Sequence, residues 1–461
     1  MTDVTPSISP ETKALAAHVA GAGATSIPQA VTDKTVMHIV DSLAAVVSGS
    51  RLPPGRRAIE YVRAISGGGG STIVGSETSS DAVNAALANG MSAHADETDD
   101  SHPSSISHPG CAVVPAALAV AEQQGRSGEE LIRAVAAGYD IGTRVGLSLG
   151  KPRLDAEKST HSTHALVGLF GATAAAAVLY RLDETGVRHA LSYAAQSTSG
   201  VTSWVRDGGH VEKAFVFGGM PASNGVRAAA MVASGCDGVD DVFAGVPNVL
   251  DAYSAAPNRS QLVDGLGEQF AVMQTNIKKF AVGSPAQAAV QATLDLLAEG
   301  DIDPAAVESI EIVLPHDLAR VVDGRDMPDI NCQYLVAGTL LDRGFSFAMA
   351  HDDERMTAPD VVALLEKSQL IPDPDSEGVR SADLTIHTSD RGTLHAFVPA
   401  VRGTVDDPMD LSEVDAKSED LIAPVLGDDA ARALLTCMWS LADVKDVGEL
   451  ARLLEPSSAP R

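Results

Sequence analysis

Residues 94–110, HADETDDSHPSSISHPG, hold three histidines, His94, His102 and His108, and four carboxylates, Asp96, Glu97, Asp99 and Asp100. Imidazole titrates near neutrality, so it can take or give a proton, and a nearby carboxylate can orient the ring. Histidine and carboxylate also suit zinc, manganese or iron. A solvated acidic loop with incidental histidines has the same composition. No HExxH or similar helix-spaced pair occurs there, so no metal is expected.

Four weaker clusters follow. His161-Ser-Thr-His164 precedes an Ala-rich run, where a helix N-terminus favours an anion; the plainer reading is a capping Ser162 or Thr163 with exposed histidines. Asp207-Gly-Gly-His-Val-Glu-Lys213 offers an ammonium for a carboxylate among glycines, or simply a surface loop. Lys278-Lys279-Phe-Ala-Val-Gly-Ser284 is locally basic in an acidic chain, and basic pairs are usually solvated. Cys332-Gln-Tyr334 opens a helix; its tyrosine is a proton donor or a core aromatic.

The elements that must position these groups change type along the chain. The first 240 or so residues read as helical. Ser127 and Glu130 form a capping box, and Pro115 is expected in a first turn. The run ALVGLFGATAAAAVLY is apolar all round and predicts a buried helix, and Asp183 predicts a cap for the next one. After about residue 270 the pattern alternates. Residues 309–314 read as a strand ending at Pro315, and 382–387 with 393–398 as a hairpin. Helices are expected over 285–299, 334–342 and 358–367, and helix returns from about 410. The fold class is therefore mainly α with an α+β part: a helical domain over 1–270 and 405–461, and an inserted α+β domain over 271–404.

The chain's 461 residues allow two or more domains, and an apolar content of 45% is too high for disorder. A net charge of −28 argues against nucleic acid and anionic membrane as partners. The longest apolar stretch, 165–180, is too short to span a bilayer. Cys111, Cys236, Cys332 and Cys437 stand far apart with no CxxC, and the N-terminus shows no leader pattern, so a cytoplasmic protein is expected.

The clusters occur in a telling order. HADETDDSHPSSISHPG, HSTHALVGLFGATAAAA, EKAFVFGG, CQYLVAGTLLDRG and HDDERM, with the ending RGTVDDPMDLSEVDAKSEDLIAPVLG, closely resemble the MmgE/PrpD family from about residue 10 to 455. That family includes 2-methylcitrate dehydratase, cis-aconitate decarboxylase and iminodisuccinate epimerase. The resemblance implies a helical domain built from both chain ends and a smaller α+β lid, with no metal or organic cofactor and usually a homodimer. Its acidic motif matches Glu97, Asp99, Asp100 and Ser101, and its histidines match His108 and His161. Its lysine matches Lys213 and its lid tyrosine Tyr334. Glu97 stands where Asp is commoner, Ser101 where Thr is, and Val216 where many members have a second histidine.

The implied chemistry is proton transfer at a carbon next to a carboxylate of a small di- or tricarboxylic acid. On that reading Lys213 and His161 hold substrate carboxylates, and His108 is the base or acid at carbon. Tyr334 donates the opposing proton, Asp100 orients a histidine, and Glu97 is a second acid/base. Asp99, Ser101, His102 and Lys279 are expected to contact substrate. A lyase, dehydrating or decarboxylating, is the leading expectation, and an epimerase or isomerase uses the same first step. A carboxylate-binding relic and a metal-dependent hydrolase are the remaining alternatives.

Overall fold

The computed structural model describes residues 8–150, 161–376 and 378–456. Residues 1–7, part of the N-terminus read above for a leader, lie outside the described residues. The protein is mostly helical (59%) with a small mixed sheet. Its contacts divide it into two compact units: residues up to 95, 99–275 and 411 onward, and residues 96–98 with 276–410.

In the first unit, Ser127 caps helix Gly128–Ser148: its hydroxyl accepts the Glu130 N–H, and the Glu130 carboxylate accepts the Ser127 N–H at 3.0 Å. Helix Thr163–Leu179 is buried along nearly its whole length, as its unbroken apolar surface requires. It meets Gly128–Ser148 backbone to backbone, since a Cβ on Gly142 would lie 2.4 Å from the Val167 carbonyl oxygen. Asp183 caps Glu184–Gln196 by accepting the Gly186 N–H. From the C-terminal end of the chain, helix Leu411–Leu426 packs on Gln29–Gly49, and Lys417 Nζ donates to the buried Asp41 at 2.5 Å. Two short strands, Ser71–Thr72 and Ser79–Ser80, pair in this unit, which the sequence pattern does not announce.

The helix around Pro115 starts earlier than expected. It runs Gly110–Gln123, so Pro115 lies inside it rather than in its first turn. A carboxylate ten positions earlier is the cause: Asp100 Oδ1 accepts the Gly110 N–H at 2.9 Å, partnering a donor that a helix start leaves open.

The second unit is built on a four-stranded sheet in the order Ser368–Asp373, Val307–Pro315, Ala382–Thr388, Gly392–Val398. The first pair is parallel and the others antiparallel. The alternation read at 309–314 and in the hairpin is the alternation of buried and outward residues in these strands. The strand Ser368–Asp373 is the one the pattern missed. It carries Pro372 and lies at the sheet edge, where a missing N–H is tolerated. Helices Gln287–Glu299 and Cys332–Asp342 add Ala289, Leu296, Leu335 and Leu340 to a core with Ile310, Ile312, Leu384 and Ile386. Among the described residues, no helix is long and apolar enough to cross a membrane.

Candidate active site

Within the first unit, several separate segments bring imidazoles around one phenylalanine. Helix Ala82–Ala93 ends on His94, and His108 stands two residues before the helix Gly110–Gln123. His164 lies in the first turn of Thr163–Leu179. His210, at φ 58°, turns the chain into Val211–Ala214, which carries Lys213 and continues through a π-helical turn, Phe215–Gly219. Such widened turns are frequent at functional sites. This one can approach helix Ala82–Ala93 because residue 218 is glycine: a Cβ there would lie 2.0 Å from the Gly90 carbonyl oxygen.

Phe217 is buried at the centre. His94 and His164 stack on it at 4.3 and 3.8 Å between ring centroids, and Trp204 meets it edge-on at 4.7 Å. His108 is 5.4 Å from His94 and 5.2 Å from His164, ring to ring, and His210 is 5.2 Å from His94. The Lys213 ammonium lies 5.6 Å from the Trp204 ring and 5.3 Å from Phe217. One carboxylate lies against two of these imidazoles: Asp99 Oδ2 is hydrogen-bonded to His94 Nδ1 at 2.9 Å and lies 3.3 Å from His108 Nδ1, within ion-pair distance but without a hydrogen bond. Asp99 is fully buried and the His108 side chain is 12% exposed, so the dyad opens outward through His108. A buried carboxylate in that position fixes the orientation of the His94 ring and, by its charge, stabilises an imidazolium at His108.

His164 is held well below the ordinary histidine value of 6.5, first by burial, then by the His108 and His94 rings and by Lys213. In the unfolded chain it binds a proton at higher pH than in the folded one, so its contribution disfavours the folded state as pH falls below 6.5. His164→Asn is therefore expected to lose less stability than the parent between about pH 7 and pH 5, compared as denaturant midpoints. Equal losses in the two proteins would contradict the assignment.

The other expected residues of this unit are placed as follows. Asp100 points away from His108. Its Oδ2 accepts from His38 Nδ1 at 2.8 Å and from the Tyr139 hydroxyl at 2.5 Å, and its Oδ1 from the Gly110 N–H at 2.9 Å. The histidine that Asp100 holds is thus His38. His102 Nδ1 lies 2.8 Å from Ser105 Oγ and accepts the Ser105 N–H at 3.2 Å, capping a tight turn of the loop, and Ser101 is buried beside it. His161 is exposed, with its ring edge-on to Tyr253 at 4.7 Å. The imidazole that joins His108 from this stretch is His164.

In the second unit, Lys278 Nζ donates to the Glu97 carbonyl oxygen and lies 3.4 Å from Glu97 Oε2, both residues being buried. His351, from the HDDERM stretch, has Nε2 3.0 Å from the Asp96 carbonyl oxygen. Lys279 Nζ instead donates to Gln291 Oε1 at 3.0 Å and lies 5.3 Å from the Phe280 ring centroid. Tyr334 is fully buried, donates to the Met349 carbonyl at 2.6 Å, and is pushed up to about 12, mainly by burial. Tyr334→Phe orphans that carbonyl and is expected to cost about 1–3 kcal/mol in denaturant unfolding. An unchanged midpoint would contradict the buried bond.

His94, Asp99 and Cys111 each bring one donor atom within 4.8 Å of the others, all buried. Imidazole, carboxylate and thiol together suit a borderline divalent ion such as zinc. Each donor also has a hydrogen-bonding use, His94 on Asp99 and the Cys111 thiol on the His108 carbonyl at 3.1 Å.

The chain thus comprises a helical unit assembled from both of its ends, which carries the imidazole cluster beside Asp99, and an inserted α+β unit. The chain matches the MmgE/PrpD N-terminal domain over residues 13–262 and the MmgE/PrpD C-terminal domain over residues 280–443. It belongs to the MmgE/PrpD family, whose members are largely enzymes, dehydratases and their relatives.

The sequence pattern placed His94, His164, His210 and Lys278 within candidate clusters without giving any of them a role, and it did not note Trp204 or Phe217. For His164 a signal exists. It shares a helical face with Gly168 and Gly171, four and seven positions on. A Cβ on Gly168 would lie 2.9 Å from Ala112 Cβ, so this is the tightly packed face. His161 precedes the helix and its Ser162 N-cap.

Proposed function

We propose that the protein transfers a proton at the carbon next to a carboxylate of a small di- or tricarboxylic acid, of which 2-methylcitrate is an example, and that the outcome is elimination of water. The observation that carries this is Asp99 bridging His94 and His108 beside Lys213. A carbon acid of this kind is weak, so its removal needs a base together with cationic stabilisation of the enolate-like state in a dry site. His108, the more open imidazole on Asp99, removes the proton from carbon. Asp99 stabilises the resulting imidazolium, and Lys213 pairs with the substrate carboxylate. The C–H electrons form the new double bond, the C–O bond breaks, and the departing hydroxyl takes a proton and leaves as water. In the decarboxylating variant the C–C bond to a carboxylate breaks instead, carbon dioxide leaves, and the carbanion so formed takes a proton. The reading includes the family's habit of working without metal or organic cofactor and as a homodimer, and the cytoplasmic setting expected from the widely separated cysteines.

An epimerase is the second reading, favoured by the several imidazoles around His108. It needs a base and an acid but no leaving group. Incubation with citrate, 2-methylcitrate, malate, tartrate and iminodisuccinate, followed by ultraviolet absorbance and chiral separation, tells them apart. A new conjugated alkene supports elimination. An inverted centre without an alkene supports epimerisation and overturns elimination.

A further inference from the structure

We infer that His38 and Tyr139, acting through Asp100, are positioning residues that set the aim of His108. The activity part of the test rests on the proton-transfer reading above, and the spectroscopic part does not.

His38 comes from helix Gln29–Gly49 and Tyr139 from Gly128–Ser148. These two side chains and Asp100 are all 0% exposed. A carboxylate so deep is costly unless it is hydrogen-bonded, and Asp100 has three donors: His38 Nδ1, the Tyr139 hydroxyl and the Gly110 N–H. The donors keep their protons. Burial, and then the Asp100 charge, hold Tyr139 well above the ordinary tyrosine range. His38 Nδ1, 2.8 Å from a carboxylate oxygen that only accepts, donates to it, and burial lowers the ring's affinity for a second proton. His38 Nε2 is buried and, among the described residues, has no hydrogen-bond partner. Both Asp100 oxygens are therefore fixed from three directions.

This frame bears on His108 through the chain. Asp99 and Asp100 are neighbours with opposite duties: Asp100 faces His38 and Tyr139, and Asp99 faces His94 and His108. The bond from Gly110 to Asp100 closes the loop that carries His108. The loop is seated on the frame with no slack, because a Cβ on Gly110 would lie 2.6 Å from Ser42 Oγ, 2.7 Å from the Tyr139 hydroxyl and 2.9 Å from Asp100 Cγ. Releasing Asp100 thus frees both ends of the segment that aims the base. A misplacement of about 1 Å in such a site costs about a hundredfold in rate.

The test uses Tyr139→Phe, His38→Ala and His38→Asn in the full chain. The asparagine amide can return a donor near the Nδ1 position. Side-chain nitrogen NMR of histidine-labelled protein reads the imidazoles without substrate. Tyr139→Phe and His38→Ala are expected to move the His108 signals and its titration, and to lower kcat about tenfold to a hundredfold with KM within about twofold. His38→Asn is expected to restore much of both. If His38→Ala does not fold, Tyr139→Phe carries the test, since it removes one oxygen only. A folded Tyr139→Phe whose His108 titration matches the parent overturns the inference, whatever its turnover. Moved His108 signals without turnover on any acid support the inference and count against the proposed reaction instead.

Discussion

His108→Ala is expected to lower proton transfer at the substrate carbon by about a hundredfold to ten-thousandfold, the usual worth of a positioned general base. The expectation follows from its place. His108 shares Asp99 with His94, and of the two rings it is the one that retains exposure. His94 is fully buried, stacked on Phe217, and cannot step into its place without unpacking that ring. Added imidazole should restore part of the activity, because the substitution leaves a space the size of the missing ring. Full activity in a folded His108→Ala protein would remove His108 from the mechanism.

Asp99→Asn is the second large effect. Asparagine has the same shape but carries no charge and presents an amide that donates. His94 loses the acceptor that fixes its tautomer, and His108, 3.3 Å from the same carboxylate, loses the adjacent anion that stabilises its protonated form. A loss of about a hundredfold or more in kcat is expected, with a smaller change in KM, since the interaction matters most once His108 has taken the proton. The pH profile should change shape as well as height. A loss confined to KM would show that Asp99 serves substrate binding instead. The effect should exceed that of Asp100→Asn on the imidazole signals of His94, because Asp99 touches that ring directly while Asp100 contacts His38, Tyr139 and the loop backbone.

Much of this fold is legible in the sequence because its signals are local. The Ser127 capping box, the Asp183 cap, the all-apolar helix Thr163–Leu179 and the hairpin of Ala382–Thr388 with Gly392–Val398 each follow from a few adjacent residues. The misses were set by distant partners. The helix at Pro115 begins at Gly110 because of a carboxylate ten positions earlier. The edge strand Ser368–Asp373 takes its place from pairing with Val307–Pro315 rather than from its own pattern.

The site divides in the same way. Residues 94–110 were recognisable as a chemical stretch, and so were His108, Asp99 and Lys213 within their motifs. What composition could not give was direction. Four carboxylates in five positions take different partners: Asp96 accepts the Thr98 N–H, Glu97 meets Lys278, Asp99 meets His94 and His108, and Asp100 meets His38 and Tyr139. The loop geometry that sends them apart includes a left-handed residue at Glu97, φ 56°, a conformation no local motif announces. His161 and His164 are equal in composition and differ only in which side of the helix start they occupy.

The most direct test of the central claim is proton NMR in deuterium oxide. The protein would be incubated with citrate, 2-methylcitrate, cis-aconitate, malate, tartrate and iminodisuccinate, alongside His108→Ala. The account predicts that the parent incorporates deuterium at a carbon beside a carboxylate of at least one acid, with vinyl signals if water is eliminated, and that His108→Ala does so at least about a hundredfold more slowly. Turnover of any of these acids without exchange or bond change at that carbon, or exchange that His108→Ala carries out at the parent rate, would contradict it.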